Sequence, residues 1–472
     1  MEPSAAHVSC ELMVYLLIGI SAHLAFWLLR SRMGVLYRLA ADGVCLVDGM
    51  LQGGDEDEQL DALERRTSQV LGSFLLFLTW VMLAVGVAAS LPWTWSWWRG
   101  AADPWGAFAT WPGILALSVG GTLGVFYPKG RQSPSAYSPL NQLLHRLALD
   151  NPNLHRRLHD REVKQWRKSG GVPEKRFVIV TGLARAGTTS LMQRLLETGT
   201  FSSLHYGNMP FVMAPRTWGR VHKPKATALK ERSHGDGIMV GATSAEALEE
   251  PFFKMLTDGG YIGGGALSPH EVDQEMHAAY LDYQGLVRAP GKTYLAKNNN
   301  ALLRYSGLRQ HNSEFFVVMM FRAPLAHAAS LRAMQRRYVA MQQADPFIQT
   351  YMDWLVHHEF GLGHKPFAFE GDGGQGGDPD GLDYWLDRWT AYYQHALSVD
   401  GHRVLWVPHE TWSARPKAVL DKVMQTVALD GDLPEMAPHT RSRTVEEEVD
   451  PQRLAKAETL YGRLMERALH LD

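Results

Sequence analysis

Ten residues, Gly182 to Leu191 (GLARAGTTSL), combine two glycines, one cation and three adjacent hydroxyls. They follow an apolar, β-branched run, Phe177-Val178-Ile179-Val180, and lead into a helix-like segment, Leu191 to Glu197. Strand, glycine-rich turn and helix in that order form a cradle for phosphate. Successive backbone N–H groups point inward, and the helix N-terminus adds positive potential. Gly182 and Gly187 have the spacing of a Walker-type loop, GxxxxGK followed by Ser or Thr. Here, however, Thr188 stands at the lysine position and the cation is Arg185, inside the loop. A phosphate site is expected from Arg185, Ala186, Gly187, Thr188, Thr189 and Ser190. A Mg-bound triphosphate fits less well, because the lysine that serves the β- and γ-phosphates is missing.

A second element of the same kind lies downstream. The apolar run Phe315 to Phe321 leads into Arg322, and Ser330 follows at the end of FRAPLAHAAS. An arginine at a strand end and a hydroxyl two turns into the next helix can serve one phosphate. Two such elements on one sheet imply a ligand with two separated anionic groups. Between them, Lys297 heads the run KNNN. His357, His358, Glu359 and His364 match no standard zinc spacing and are expected to form a polar pocket wall. Glu246, Glu249 and Glu250 have the pattern of a solvated helix face.

With both phosphate elements in order and Lys297 between them, the chain resembles the sulfotransferases that use 3′-phosphoadenosine-5′-phosphosulfate (PAPS). Arg185-Ala186-Gly187-Thr188-Thr189 is similar to that family's 5′-phosphosulfate loop, with Ala186 where the family usually has Ser. Arg322 and Ser330 are similar to its 3′-phosphate site. SPLNQLLHRLAL, ERSHGDGIMVGATSAEALEEPFF, YLAKNNNALLRY and YMDWLVHHEFGLGHKPFAF resemble phrases of a bacterial branch, over roughly residues 138 to 430. The resemblance implies sulfuryl transfer from PAPS to a hydroxyl or amine, with no metal. Arg185 and Lys297 are then the cations at the developing charge. The acceptor is deprotonated by a His or Glu, and three candidates are open: His234 (with Asp236 in SHGDG), Glu250 and His205. A nucleotide-dependent kinase and a non-catalytic scaffold with a degenerate nucleotide fold are the alternatives.

These residues need a frame. The runs Phe177–Val180, Phe315–Phe321 and Val404–Val407, alternating with helical patterns, predict an α/β domain. It is a three-layer fold on a parallel sheet with a P-loop-like turn, covering residues 176–472. If the first two strands are neighbours, Arg185 and Arg322 face one crevice at their C-terminal ends. Leu140 to Lys168 is predicted to be helical, within a linker and lead-in of residues 131–175. Glu370 to Gly381 is predicted to be a surface loop.

Residues 1–130 read as a membrane region. Uncharged stretches at 12–29, 70–91 and 105–127 approach or exceed the roughly 20 residues that cross a bilayer core. Five tryptophans between 93 and 105 suit an interface. Nothing before the first stretch is Lys or Arg, unlike a signal peptide. Arg30, Arg32, Arg38, Arg65 and Arg66 place the 30–69 loop inside by the positive-inside rule, so the catalytic domain is expected on the cytoplasmic side. Anchoring points to a lipid or lipid-linked acceptor over a small soluble one. The net charge of −2 gives no basis for a nucleic-acid partner. The two cysteines, Cys10 and Cys45, leave the region after residue 130 without a disulfide or a Cys-based metal site.

Overall fold

The computed structural model describes residues 5–51, 56–99, 104–126, 138–222, 230–231, 239–240, 247–369, 376–399, 401–438 and 448–471. The chain divides into two compact units, Met1–Leu147 and Ala148–Asp472.

The first unit is helical: α1 (Ala5–Ser31), α2 (Met33–Leu51), α3 (Glu56–Arg99), α4 (Pro104–Phe108) and α5 (Trp111–Phe126), with α6 (Pro139–Leu149) at the boundary. α1 packs on both α3 and α5. The approach to α5 is close because the contact is made of glycines. A Cβ on Gly120 would lie 2.0 Å from the Gly19 carbonyl oxygen, and one on Gly124 would lie 2.5 Å from that of His23. Among the described residues, two helices are long and apolar enough to cross a membrane, over Leu12–Ser31 and Asp61–Trp98. The third expected span, 105–127, is not one helix. Pro112 starts a new helix at α5, which has 16 residues, short of the usual length for crossing. The expected 30–69 loop is also largely helical, in α2 and the start of α3.

The second unit contains α7 (Pro152–Lys168), β1 (Phe177–Thr181), α8 (Thr188–Glu197), β2 (Phe201–Ser202), α9 (Pro215–Val221), β3 (Lys230–Glu231), β4 (Met239–Val240), α10 (Glu250–Leu256), α11 (Gln274–Val287), β5 (Thr293–Lys297), α12 (Tyr305–His311), β6 (Phe316–Phe321), α13 (Pro324–Ala344), α14 (Pro346–Trp354), α15 (Leu382–Ser398), β7 (Val404–Pro408), α16 (His409–Ala414), α17 (Pro416–Thr426) and α18 (Pro451–Glu466). The single helix expected over 140–168 is broken by Pro152, which takes the first position of α7.

Five strands form a parallel sheet in the order β2-β5-β1-β6-β7. Alternation along the strands sends side chains to two faces. Phe177 and Ile179 of β1 join Val317, Met319 and Phe321 of β6 in one apolar cluster. Val178, Val180, Val318 and Met320 join Leu191, Met192 and Leu195 of α8 and Val419, Leu420 and Val423 of α17 in another. Burial on both faces explains why β1 and β6 read as continuous apolar runs. The chain fills the β5/β2 side of β1 first and then crosses to β6 and β7. The order therefore reverses at β1, and a crevice at such a switch point is where parallel sheets bind ligands.

Candidate functional site

β1 and β6 are neighbours, paired from Val178↔Phe316 to Thr181↔Met319. The expectation that Arg185 and Arg322 leave adjacent strand ends is met. The turn after β1 requires glycine at two points. Gly182 has φ +148°, and a Cβ there would lie 2.3 Å from the Met320 carbonyl oxygen of β6. Gly187, the N-cap of α8, has φ +97°, and its Cβ would lie 2.8 Å from His409 Nδ1. Arg185 also takes a left-handed φ, +73°. For a side-chain-bearing residue that costs about 1–2 kcal/mol. The surrounding structure holds it there.

Arg185 Nε approaches Ser330 Oγ of α13 at 3.5 Å. The residue thus joins two elements that the sequence assigns to separate phosphates. Burial pulls the Arg322 guanidinium below its ordinary range; Glu410 opposes this and the nearby Arg185 charge adds to it. No side chain among the described residues hydrogen-bonds that guanidinium. Two like charges held within electrostatic range become favourable when an anion joins them. Ala186 is fully buried in the apolar cluster under the sheet, Thr188 and Thr189 are buried at the start of α8, and Ser190 Oγ accepts from Trp412 Nε1 at 3.3 Å.

Three features the sequence did not flag hold these parts in place. His327 of α13 is fully buried, with Nε2 2.7 Å from the Ala184 carbonyl oxygen. Burial pushes its imidazole down to about 3, so the ring is neutral and donates from Nε2. Glu410, just after β7, accepts from the Ala323 backbone N–H at 3.0 Å and fixes the start of α13. α15 supplies three struts to backbone carbonyls: Trp389 Nε1 to Arg322 at 3.1 Å, Tyr392 Oη to Asn299 at 3.2 Å and Tyr393 Oη to Met320 at 2.9 Å. His327 lies one turn before Ser330 on the same helix, and that spacing was the signal available for it.

Lys297 ends β5 opposite Val180 and is buried, so it stands at the same sheet edge as the turn. The next residue leads into a polar core. Glu249 and Glu250 are buried, in contrast to the solvated face expected of them. Glu250 Oε1 accepts from Arg304 Nη1 and from Asn298 Nδ2 at 2.7 Å. Its Oε2 accepts from Arg304 Nη2 at 3.1 Å and Tyr261 Oη at 2.6 Å. Four donors thus meet the roughly four lone-pair sites of a carboxylate. Burial alone would raise the Glu250 carboxyl, but Arg304 holds it down at about 2. Burial raises its neighbour Glu249 against the Asn298 hydrogen bond, with the Glu250 charge adding to the rise.

Of the other acid–base candidates, His205 lies beyond the C-terminal end of β2. Its Nδ1 accepts from the Gly207 N–H at 3.1 Å. In the neutral ring the proton is then on Nε2, which makes that nitrogen a donor and leaves the ring no free acceptor. His234, Asp236 and Glu246 lie outside the described residues. The rings of His357, His358 and His364 each turn to a backbone carbonyl, of Ala247, Gly363 and His358. Among the described residues no group of three or more His, Cys, Asp or Glu is placed to hold a metal ion.

Fold and site together define an α/β protein whose candidate residues gather at the C-terminal edge of a parallel sheet. No protein-family model and no curated protein matches the chain. Its structural neighbours are sulfotransferases. It is similar to sulfotransferase STF1 from Mycobacterium tuberculosis H37Rv at 16% identity, over 70% of this chain and 86% of that one, with a TM-score of 0.36. It is similar to STF9 from Mycobacterium avium at 12% identity, over 72% and 84%, with a TM-score of 0.35. A sulfotransferase from Alicyclobacillus acidocaldarius matches at 15% identity, over 62% and 96%, with a TM-score of 0.31.

Proposed function

We propose that the chain is a membrane-anchored sulfotransferase that moves a sulfuryl group from PAPS to a hydroxyl or amine acceptor. One observation carries the reading: Arg185, Ser330 and Arg322 converge at the adjacent C-terminal ends of β1 and β6, at the sheet's switch point. The turn from Gly182 to Ser190 is read as the phosphosulfate cradle of a three-layer fold, and Arg322 with Ser330 as the 3′-phosphate site. In the transfer, the acceptor oxygen attacks sulfur as the bond from sulfur to the 5′-phosphate oxygen breaks. Negative charge grows on that leaving oxygen, where Arg185 and Lys297 are assigned to stabilise it. Glu250, with its lone pairs engaged, is read as a strut for Asn298 beside Lys297, and His205 as a donor.

The proposed anchor is residues 1–130, and its outward apolar surface on α1, α3 and α5 supports that role. Anchoring raises the effective concentration of a membrane-borne acceptor, so a lipid or lipid-linked substrate reached from the cytoplasmic face is the favoured class. The test incubates the full chain in membranes with sulfur-35-labelled PAPS and a total lipid extract. Label in the lipid phase is expected; label confined to free sulfate refutes the transfer.

A further inference from the structure

A pocket opens beside the turn after β1. Leu183 and Ala184 form one wall and Leu331, next to Ser330, another. Phe367, Trp385 and Tyr392 close it with aromatic surface. Polar side chains also line it, and most are committed elsewhere. His364 has the His358 carbonyl oxygen 3.0 Å from Nδ1 and the Tyr384 hydroxyl 2.8 Å from Nε2. Lys365 Nζ donates to the Gly263 and Gly264 carbonyls at 2.8 and 2.7 Å. Glu359 differs. Its Oε1 accepts from Asn299 Nδ2 at 3.0 Å, and no hydrogen bond among the described residues engages Oε2.

The support behind Glu359 leads back to the sheet. The Asn299 carbonyl accepts from Tyr392 Oη, which lies 3.5 Å from Thr181 Oγ1 at the end of β1. One carboxylate oxygen is therefore oriented through the ends of β5 and β1, and Glu359 lines a pocket that shares Leu183 and Ala184 with the proposed donor cradle. The sequence places Glu359 only in a polar pocket wall; its Asn299 partner gives it a fixed direction.

We infer that this pocket receives the acceptor and that Glu359 Oε2 takes the proton of its hydroxyl. The inference rests on the sulfuryl-transfer reading above. The acceptor O–S bond forms while the S–O bond to the 5′-phosphate breaks. The electron pair leaves on the phosphate oxygen of adenosine 3′,5′-bisphosphate, and the hydroxyl proton passes to Glu359. The walls also select the acceptor. They are mainly apolar, and the space open to a water-sized occupant is about 30 Å³. A single water needs roughly 10–15 Å³ by that measure. The pocket therefore suits the hydroxyl end of a slim, apolar alcohol or phenol and excludes a polyhydroxylated headgroup.

The experiment uses the full chain in detergent, with PAPS as donor. The acceptor probes are 1-octanol and 4-butylphenol, with glucose as the polar control. Adenosine 3′,5′-bisphosphate release and sulfated product are both measured. Octanol or butylphenol is expected to be sulfated and glucose not. Glu359→Gln keeps an acceptor for Asn299 but cannot take a proton; its turnover is expected to fall about 10²–10⁴-fold, the usual range for a lost general base. Its affinity for adenosine 3′,5′-bisphosphate should match the parent's. Ala391→Phe, which fills the pocket from α15, is expected to raise KM for octanol without changing that affinity. If the parent binds the bisphosphate but Glu359→Gln turns over normally, or glucose is the preferred acceptor, the pocket inference fails and the donor reading stands. If the parent does not bind the bisphosphate, both fail.

Discussion

Replacing Glu250 with glutamine separates two roles that the sequence left open for this residue, proton acceptor and structural strut. The substitution keeps the shape and removes the charge facing Arg304, which is 1% exposed at its side chain. Removing one partner of a buried pair costs about 3–5 kcal/mol, because the other charge stays buried without compensation. An independent figure agrees. Displacement of the Glu250 carboxyl from 4.5 to about 2 corresponds to about 3 kcal/mol at 1.36 kcal/mol per unit. For a unit of this size each kcal/mol moves Tm by about 2 °C, so a fall of about 6–10 °C is expected. The sign with pH follows from the lowered value. The pair's contribution is complete above pH 4.5 and is lost as pH falls through about 2. The gap in Tm between the parent and Glu250→Gln should therefore narrow as pH drops from 4.5. Glu249 acts in the opposite sense, since its value is raised, and both proteins carry it. Thermal unfolding followed by tryptophan fluorescence in detergent measures the gap. An unchanged Tm together with lost transfer activity would refute the strut and return Glu250 to the role of base.

Other outcomes follow from the same geometry. Arg185→Ala and Arg322→Ala should each weaken adenosine 3′,5′-bisphosphate binding about 10- to 150-fold in calorimetry, the span of one charged hydrogen bond at about 1.5–3 kcal/mol. Gly182→Ala places a Cβ against the Met320 carbonyl at a φ of +148°. It should cost more than about 1 kcal/mol in chemical denaturation and weaken bisphosphate binding with it. His155 and His327 are buried, with burial lowering them to about 4 and about 3. Each stays neutral in the fold while the unfolded imidazole gains a proton. Stability should therefore fall as pH drops below about 6.5, by about 2 kcal/mol per residue at pH 5, and His327→Gln should flatten part of that slope. If α1 and α3 anchor the chain, alkaline carbonate and high salt should leave it in the membrane pellet.

What the sequence made legible, and what it hid, follows the range of the interactions. β1, β6 and β7 were readable because strands buried on both faces are unbroken apolar runs. β5 was not, since Thr293-Tyr294-Leu295-Ala296-Lys297 mixes polar and small residues. Gly182 and Gly187 were readable because only glycine suits their backbone. The Arg185 contact with Ser330 spans 145 positions and depended on the pairing of β1 with β6. Glu249 and Glu250 were misjudged as solvated because their partners, Arg304, Tyr261, Tyr280, Tyr294 and Asn298, come together only in the folded chain. The third apolar stretch was overextended because Pro112 was passed over as a helix start. His327 gave one weak cue, its helical spacing from Ser330, and nothing in the sequence pointed to Ala184 as its acceptor.

The central claim is that Arg185, Arg322 and Ser330 bind a nucleotide carrying phosphates at both 3′ and 5′ positions. Isothermal titration of the full chain in detergent with adenosine 3′,5′-bisphosphate tests it most directly, in EDTA and with ATP plus Mg²⁺ as the comparison. Saturable, metal-independent binding of the bisphosphate is expected, reduced when its 3′-phosphate is removed and abolished in the Arg185→Ala, Arg322→Ala double variant. No bisphosphate binding, or tight binding of ATP only with Mg²⁺, would contradict the account.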